Sequence, residues 1–128
     1  MLKARIIPTL LYKDLGLVKG VRFDSLCAEY GIGQIDYLKM NIEGAERRAL
    51  PGCRAALGHT RFVTIAAHDF RADRGEGDAF RTRDFVRNFL VERQFQLTTR
   101  DADPRYYVPY HIHGVGPIPK PATSSDPG

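Results

Sequence analysis

The sequence predicts an α/β fold built on part of a doubly wound sheet, mostly parallel, with an antiparallel strand at its C-terminal edge. Three patterns support this prediction. From residue 24 onward, helix-forming and strand-forming stretches alternate, which is typical of parallel sheets with right-handed crossovers. The run at 61–67 is almost continuously apolar, as in a strand buried on both faces. The last two predicted strands are joined by a tight turn, which indicates an antiparallel pair.

The N-terminal part predicts two extended stretches and a short helix. Residues 5–12 have a strand pattern, but their proline fits only an edge or a bulge because it has no N–H to donate. After a turn, residues 17–23 form a second extended stretch. Asp24 or Ser25 can cap a short helix through Tyr30, which Gly31 ends.

The middle of the chain predicts two strands with a helix between them. Residues 35–41 make a short, mostly apolar strand, and a helix follows at 44–50. Pro51 interrupts this helix because proline cannot donate the helical hydrogen bond. The apolar run at 61–67 is the second strand.

The C-terminal part predicts a loop, a helix and a pair of strands. The polar stretch 71–80 carries two glycines and is expected to be a mobile loop. Thr82 is the expected cap of an amphipathic helix that runs to about Arg93. Strands at 95–99 and 105–113 follow, and the second alternates its side chains with period two.

Composition allows a packed core and argues against several classes of protein. Hydrophobic residues make up 43% of the chain and charged residues 27%. No stretch of about 18 uninterrupted apolar residues is present, so no membrane span is predicted. Cys27 and Cys53 lack disulfide or zinc spacing, and a reducing cytosol is the expected location. The net charge of +4 comes with interleaved acidic residues, which favours a solvated surface over a nucleic-acid-binding one.

The most specific motif lies at residues 36–46, Asp-Tyr-Leu-Lys-Met-Asn-Ile-Glu-Gly-Ala-Glu. It resembles the signature of the FkbM family of methyltransferases, in which a strand ending Lys-x-Asp-x-Glu-Gly-x-Glu leads into a helix. Residues 23–26 and 67–70 resemble two weaker motifs of the family, and the likeness covers about residues 22–115. Asn41 stands where the family commonly has aspartate, so it keeps hydrogen bonding but supplies no negative charge.

The resemblance implies a Rossmann-like, class I methyltransferase sheet, with S-adenosylmethionine as donor and O-methyl transfer to a small molecule or a sugar. Such cofactors bind at the carboxyl ends of the strands, commonly on a glycine-rich turn between a strand and a helix. Neither the Gly-Ile-Gly stretch at 31–33 nor the Gly-Glu-Gly stretch at 75–77 has that context. The chain is therefore expected to be the C-terminal half of such an enzyme, with weak or no activity alone and doubtful cofactor binding.

Three parts are predicted along the chain: an unrelated extended segment at 1–23, the methyltransferase-like half at 24–115 and a disordered tail at 116–128. The first part resembles the start of the cyclase subunit of imidazole glycerol phosphate synthase, a TIM barrel. Leu11 stands where that family has a catalytic aspartate, so cyclase activity is not expected. The segment is either a fusion artefact or a substitute strand against the open edge of the strand at 35–41.

Two candidate site residues follow the first strand of the methyltransferase-like half. By the resemblance, Asn41 and Glu43 face the cleft, where either orients the acceptor hydroxyl or binds the methionine part of the cofactor. Both are thus candidate cofactor-binding residues, and Glu43 is also a candidate catalytic residue. The alternative is that Glu43 only caps the helix, where a carboxylate stabilises by roughly 0.3–1 kcal/mol. Glu46 is expected to face solvent.

Two more candidates end the next strand, on the same rim of the sheet. Methyl transfer depends mainly on in-line positioning, with a base that helps to deprotonate a hydroxyl. Histidine suits that role, so His68 and the neighbouring Asp69 are candidate catalytic residues. The alternative is that His68 hydrogen-bonds a loop and Asp69 caps a turn. His111 and His113 share a strand face, but two ligands alone do not predict a metal site.

Other functions stay open. The chain can be a non-catalytic remnant or an interaction module that pairs through its open sheet edge, including with a second copy of itself. It can also be an enzyme that a complementing chain completes. Neither a membrane nor a nucleic acid is an expected partner.

Overall fold

The structure is a computed structural model that describes residues 18–118. The α-helices are α1 (Phe23–Glu29), α2 (Glu46–Ala49), α3 (Arg54–Leu57), α4 (Asp69–Asp73) and α5 (Arg83–Glu92). The strands are β1 (Ile35–Met40), β2 (Thr60–Ala66), β3 (Gln96–Thr98) and β4 (His111–Val115). Short 3-10 helices lie at Leu50–Cys53, Asp78–Phe80 and Val108–Tyr110. Helices and strands alternate, which confirms the predicted α/β class.

The strands of the described residues form one mixed sheet in the order β1-β2-β4-β3. β1 and β2 are parallel, with Met40 beside Ile65. β4 is antiparallel to β2 and to β3. Antiparallel pairing at this end of the sheet was predicted, but the C-terminal strand is not the outermost one. β4 inserts between β2 and β3, and β3 forms the edge.

Gly114 explains how β4 fits into this position. A Cβ atom there would lie 2.8 Å from Cγ2 of Val63 and 3.2 Å from Cδ2 of Leu97, the two residues paired with it. Because glycine has no side chain, the strands on both sides can bring their own side chains over it. The sequence pattern did not indicate this close packing.

The last strand is shorter than predicted, since β4 begins at His111 and residues 105–110 are not a strand. Asp103 holds this stretch in a turn by accepting hydrogen bonds from the backbone N–H of Arg105 at 3.0 Å and from its guanidinium at 2.8 Å. The Arg105 side chain thereby keeps the pKa of Asp103 well below its usual range. The turn is followed by the 3-10 helix that contains Pro109.

The core lies between the helices and one face of the sheet. Its most deeply buried side chains are Leu50, Leu57, Val63, Ile65, Val86, Leu90 and Ile112. On the opposite face, Tyr37, Phe62 and Val115 pair side by side across three strands and are 55%, 42% and 48% exposed. The prediction that 61–67 is buried on both faces therefore holds only for the part after Phe62.

Helix α1 ends as predicted but is capped differently. Gly31 has a φ of 64°, and the N–H of Ile32 donates to the carbonyl of Cys27 at 2.8 Å, which closes the helix. Asp24 caps a different helix from the one predicted. Its carboxylate accepts the N–H groups of Ala55 and Ala56 at the start of α3, at 3.0 and 2.8 Å. Asp24 therefore joins α1 to α3.

The predicted loop at 71–80 is wrong in part, because α4 continues to Asp73 and a 3-10 helix covers Asp78–Phe80. Charge pairing orders this stretch. Glu76 lies 3.1 Å from the guanidinium of Arg71 and 3.2 Å from that of Arg74. The Arg71 guanidinium also stacks 4.0 Å from the ring centre of Phe80.

In the extended stretch predicted at 17–23, Arg22 does have extended backbone angles, but residues 18–22 form no strand and α1 begins at Phe23. The strand predicted at 5–12 lies outside the described residues, as does the tail from residue 119 onward. After β4, the N–H of Gly116 still donates to the carbonyl of Arg61 at 2.7 Å. Among residues 18–118, no helix has the length and apolar character needed to cross a membrane.

Candidate functional site

Four predicted site residues leave the sheet at one rim. β1 and β2 run in parallel with Met40 beside Ile65, so the segments that follow them emerge at the same edge. Asn41 and Glu43 follow β1, and His68 and Asp69 follow β2. This is the carboxyl-end position where open α/β sheets bind their ligands.

The exit from β1 is a turn with unusual backbone angles. Glu43 has a φ of 52° and Gly44 a φ of 99°. These left-handed residues delay the helix, which was predicted from 44 and begins at Glu46. A Cβ atom on Gly44 would lie 3.1 Å from the Phe80 ring, so the turn is also closely packed.

Glu43 points away from the helix that follows it. Its side chain is 69% exposed, and one oxygen lies 3.3 Å from the guanidinium of Arg71, which belongs to α4. The hydrogen bond of its side chain goes to Arg71 and not to a backbone N–H of α2, so the alternative that Glu43 caps this helix gains no support. The Glu43–Arg71 pair joins the exits of β1 and β2 across the rim.

Asn41 is exposed and borders a groove with a volume of about 570 Å³. The groove runs along β1, between its last residues, the 3-10 helix at Leu50–Cys53 and residues 21–23. Among residues 18–118, its lining includes the polar side chain of Asn41 and three basic side chains but no carboxylate. Cys53 also lines it, and burial, aided by the charges of Asp24 and Cys27, raises the pKa of its thiol to about 11. Cys53 is therefore protonated at neutral pH and unsuited to act as a nucleophile.

His68 lies just before α4, and its side chain is 12% exposed. Its Nδ1 atom is buried without a hydrogen-bond partner in the described part of the chain, so the expected bond to a loop is not found at this atom. The nearest acidic atom is an oxygen of Glu46, at 3.9 Å. The ring packs against Phe70, with 5.5 Å between ring centres.

Glu46 is fully buried, so the expectation that it faces solvent is wrong. The hydroxyl of Thr82 donates to one carboxylate oxygen at 3.1 Å, and the N–H of Gly44 points to the other at 3.4 Å. Because α2 is only one turn long, periodicity gives no reliable face for this residue. The available signal was its place as the last residue of the 36–46 motif.

Asp69 caps α5 instead of the predicted Thr82. One oxygen of Asp69 accepts the N–H groups of Thr82 and Arg83, each at 3.0 Å. Since the Thr82 hydroxyl is bonded to Glu46, the helix receives its cap from a residue in the segment after β2. This arrangement favours the capping alternative for Asp69 over a catalytic one.

Aromatic side chains line a second, open cavity with a volume of about 290 Å³, which borders Phe70. It is lined by Phe70, Asp73, Arg74, Tyr106 and Tyr110. The ring of Phe70 lies 5.2 Å from that of Tyr106 and 5.4 Å from that of Tyr110. The sequence pattern places both tyrosines on a strand, and a strand there does not predict this cavity.

The two other histidines lie on β4. Burial, and then the nearby His113 and His68, lower the pKa of His111. His113 shares a 3.0 Å hydrogen bond with the hydroxyl of Thr64. Within residues 18–118, no group of three or more potential metal ligands is present.

Comparison with known proteins gives one match. A family model described as the methyltransferase FkbM domain matches residues 17–97, which is more than half of the chain. The matched region includes both exits at the rim and reaches into β3. No curated protein and no solved structure gives a significant match.

Proposed function

Because the chain belongs to the family of FkbM methyltransferase domains, we propose that it forms the acceptor side of an S-adenosylmethionine-dependent O-methyltransferase site. The main support is the position of His68. It lies at the rim shared by β1 and β2, and its ring packs on Phe70, one wall of the aromatic cavity. His68 is not part of the cavity wall itself, so the acceptor hydroxyl would have to reach past Phe70 from the aromatic surface to the histidine.

S-adenosylmethionine would supply a methyl group on a positively charged sulfur. The groove beside Asn41 has a suitable size, since ligand sites typically measure roughly 300–1,000 Å³. However, no carboxylate lines this groove to bind ribose hydroxyls, and no glycine-rich turn joins a strand to a helix in residues 18–118. The described residues alone therefore do not fit the donor. We propose that Asn41 and Glu43 form one wall and that a complementing segment or chain forms the other.

On the acceptor side, His68 removes the proton of the hydroxyl that is methylated. Such general-base catalysis contributes about 10²–10⁴-fold to a rate. Asn41 and Glu43 are both exposed at the rim and can hydrogen-bond further hydroxyl groups. Asp69 supports the site indirectly, because it fixes the start of α5 beside His68.

The aromatic cavity favours a neutral acceptor that carries a ring, such as a sugar. Tyr106 is 64% exposed, and aromatic faces carry a partial negative charge that attracts ring C–H groups. The nearby charges are balanced, since Arg74 lies 3.2 Å from Glu76 and Asp73 lies 2.9 Å from Arg81. A balanced surface does not select for a charged acceptor.

A reconstitution assay tests the proposal. The full chain is mixed with the glycine-rich half of another member of the family and with labelled S-adenosylmethionine and a panel of sugars and small alcohols. Transfer to a hydroxyl is expected in the mixture, and a His68→Asn variant is expected to lower it about 10²-fold. Glu92→Gln, on the exposed side of α5, is the matched control and should change nothing.

Two outcomes would overturn parts of this proposal. Tight calorimetric binding of S-adenosylmethionine by the chain alone would refute the need for a second wall. Equal transfer by the His68→Asn variant and the parent chain would refute the role of His68 as base.

A non-catalytic interaction module is the second candidate function. The outer edge of β1 has no neighbouring strand among residues 18–118, and Tyr37 is exposed on this strand. Unpaired strand edges and exposed aromatic side chains favour association with another chain. A strictly monomeric state in sedimentation velocity at high protein concentration would argue against pairing between copies.

A further inference from the structure

We propose that Glu46 is a positioning residue, which holds His68 with its proton on Nδ1 and leaves Nε2 free to accept a proton. The use of Nε2 as the base rests on the function proposed above. The tautomer itself does not, because it can be measured without any activity.

The Glu46 carboxylate is completely shielded from solvent. A buried carboxylate is costly unless it is hydrogen-bonded and paired with a cation or a polarised N–H group. Its hydrogen bonds come from the Thr82 hydroxyl and the Gly44 backbone, which are both neutral. Among residues 18–118, His68 is the basic side chain that comes within 4 Å of it.

His68 presents an unsatisfied nitrogen on the side of Glu46. Its Nδ1 atom is buried and lacks a hydrogen-bond partner in this part of the chain. The carboxylate oxygen of Glu46 lies 3.9 Å away, so a movement of about 1 Å would form a hydrogen bond of ordinary length. Catalytic hydrogen bonds are often long in unliganded structures and shorten when the ligand binds.

Glu46 is itself held in place by its neighbours. Thr82 donates its hydroxyl to Glu46 and its backbone N–H to Asp69, the residue next to His68. A cluster of Glu46, Thr82, Asp69 and His68 thus joins the exits of β1 and β2 to the start of α5. The Glu46 carboxylate has little freedom to turn away from the histidine.

These positions determine which tautomer is favoured. A ring nitrogen that faces a carboxylate is stable as an N–H donor, and the other nitrogen then carries the lone pair. When the acceptor hydroxyl gives its proton to Nε2, the ring becomes a cation. The negative charge of Glu46 then stabilises that cation, as a carboxylate does for a catalytic histidine.

Nuclear magnetic resonance tests the tautomer directly. The full chain is labelled with ¹⁵N-histidine and studied at about pH 8, where an ordinary imidazole is neutral. The His68 signals are assigned by their loss in the His68→Asn variant. We expect the Nδ1–H tautomer, and an Nε2–H tautomer in the parent chain would overturn the proposal.

A Glu46→Gln variant extends the test. The Gly44 N–H points to the oxygen that faces His68, so the amide oxygen is expected there and the NH₂ group beside the Thr82 hydroxyl. Nδ1 then faces a neutral acceptor in place of a carboxylate, and the population of the Nδ1–H tautomer is expected to fall. Glu92→Gln is the control and should leave the tautomer unchanged. An unchanged tautomer in a folded Glu46→Gln variant would also overturn the proposal. If this variant does not fold, the measurement on the parent chain still decides.

Activity gives a separate readout. In the reconstitution assay, Glu46→Gln is expected to lower methyl transfer about 10²-fold, as His68→Asn does. A shifted tautomer with unchanged transfer would support the positioning by Glu46 but refute the function proposed for His68. The two proposals can therefore fail independently.

Discussion

The chain leaves β1 and β2 at the same rim, but the two exits are held very differently. After β1, Asn41 and Glu43 are exposed, and the only side-chain bond recorded for either among residues 18–118 joins Glu43 to Arg71. After β2, Asp69 binds two amide groups of α5, and His68 is largely buried beside Glu46. One exit presents free polar groups, whereas the other is part of the scaffold.

Two acidic residues of one sequence motif differ in the same way as the two exits. Glu43 and Glu46 lie three positions apart in the 36–46 stretch, yet the first is 69% exposed and the second is fully buried. The backbone of Glu46 lies after β1, but its side chain belongs to the buried cluster at the exit of β2. A motif of this kind therefore combines a residue available for ligands with one that supports the site.

The largest effect is expected from Thr82→Val, which breaks the scaffold at the exit of β2. The substitution keeps the shape of the side chain but removes the hydroxyl that donates to Glu46. A buried carboxylate oxygen without its donor costs about 1–3 kcal/mol. Urea denaturation should show this loss in the free energy of unfolding.

Thr98→Val is the control, because Thr98 is exposed on the edge strand β3. Its free energy of unfolding should change by no more than about 0.5 kcal/mol. Similar losses in the two valine variants would mean that the Thr82–Glu46 bond does not stabilise the fold.

The next largest loss of stability is expected from Gly44→Ala, in the turn after β1. Gly44→Ala forces a side chain into a residue with a φ of 99°, where its Cβ would lie 3.1 Å from the Phe80 ring. The left-handed backbone alone costs about 1–2 kcal/mol for a residue with a Cβ. Gly75→Ala, at a φ of 83° with no atom within 4 Å, separates backbone strain from the contact. The Gly44 variant should therefore lose more stability in urea than the Gly75 variant, and the reverse order would contradict the packed turn.

Asp69→Ala is expected to lower the free energy of unfolding by typically about 1 kcal/mol, because the start of α5 loses its cap. Thermal and urea unfolding should both report the loss. Asp78→Ala is the matched control, since this side chain is 96% exposed and its nearest basic partner is 3.8 Å away. If both alanine variants are equally stable, Asp69 is not a structural cap, and its catalytic assignment regains support.

Much of this fold follows from local sequence patterns. The strand at 35–41 and the helix after Thr82 were predicted within one residue at each end, because apolar periodicity and helix-ending residues are local signals. The shared rim was also predictable. Once two strands are parallel, the segments that follow them must lie at the same edge of the sheet.

The errors concern partners that are distant in sequence. Asp24 caps a helix 31 residues away, and Asp69 caps one 13 residues away. The sequence pattern places both residues as caps of local structure instead. The insertion of β4 depends on contact between Gly114 and Val63, which no periodic pattern reveals. The burial of Glu46 has the same origin, because its partner Thr82 lies 36 residues away.

The smallest effect on stability is expected from Glu43→Ala, at the free exit. The Glu43–Arg71 pair is exposed, and exposed pairs contribute about 0–1 kcal/mol, so the free energy of unfolding should fall by less than about 1 kcal/mol. If Glu43 faces the acceptor or the donor, the same variant should lower methyl transfer in the reconstitution assay, with a higher KM or a lower kcat. A stable variant with impaired transfer would assign Glu43 to ligand binding. A clear loss of stability would instead place it with Asp69 in the scaffold and remove the difference between the two exits.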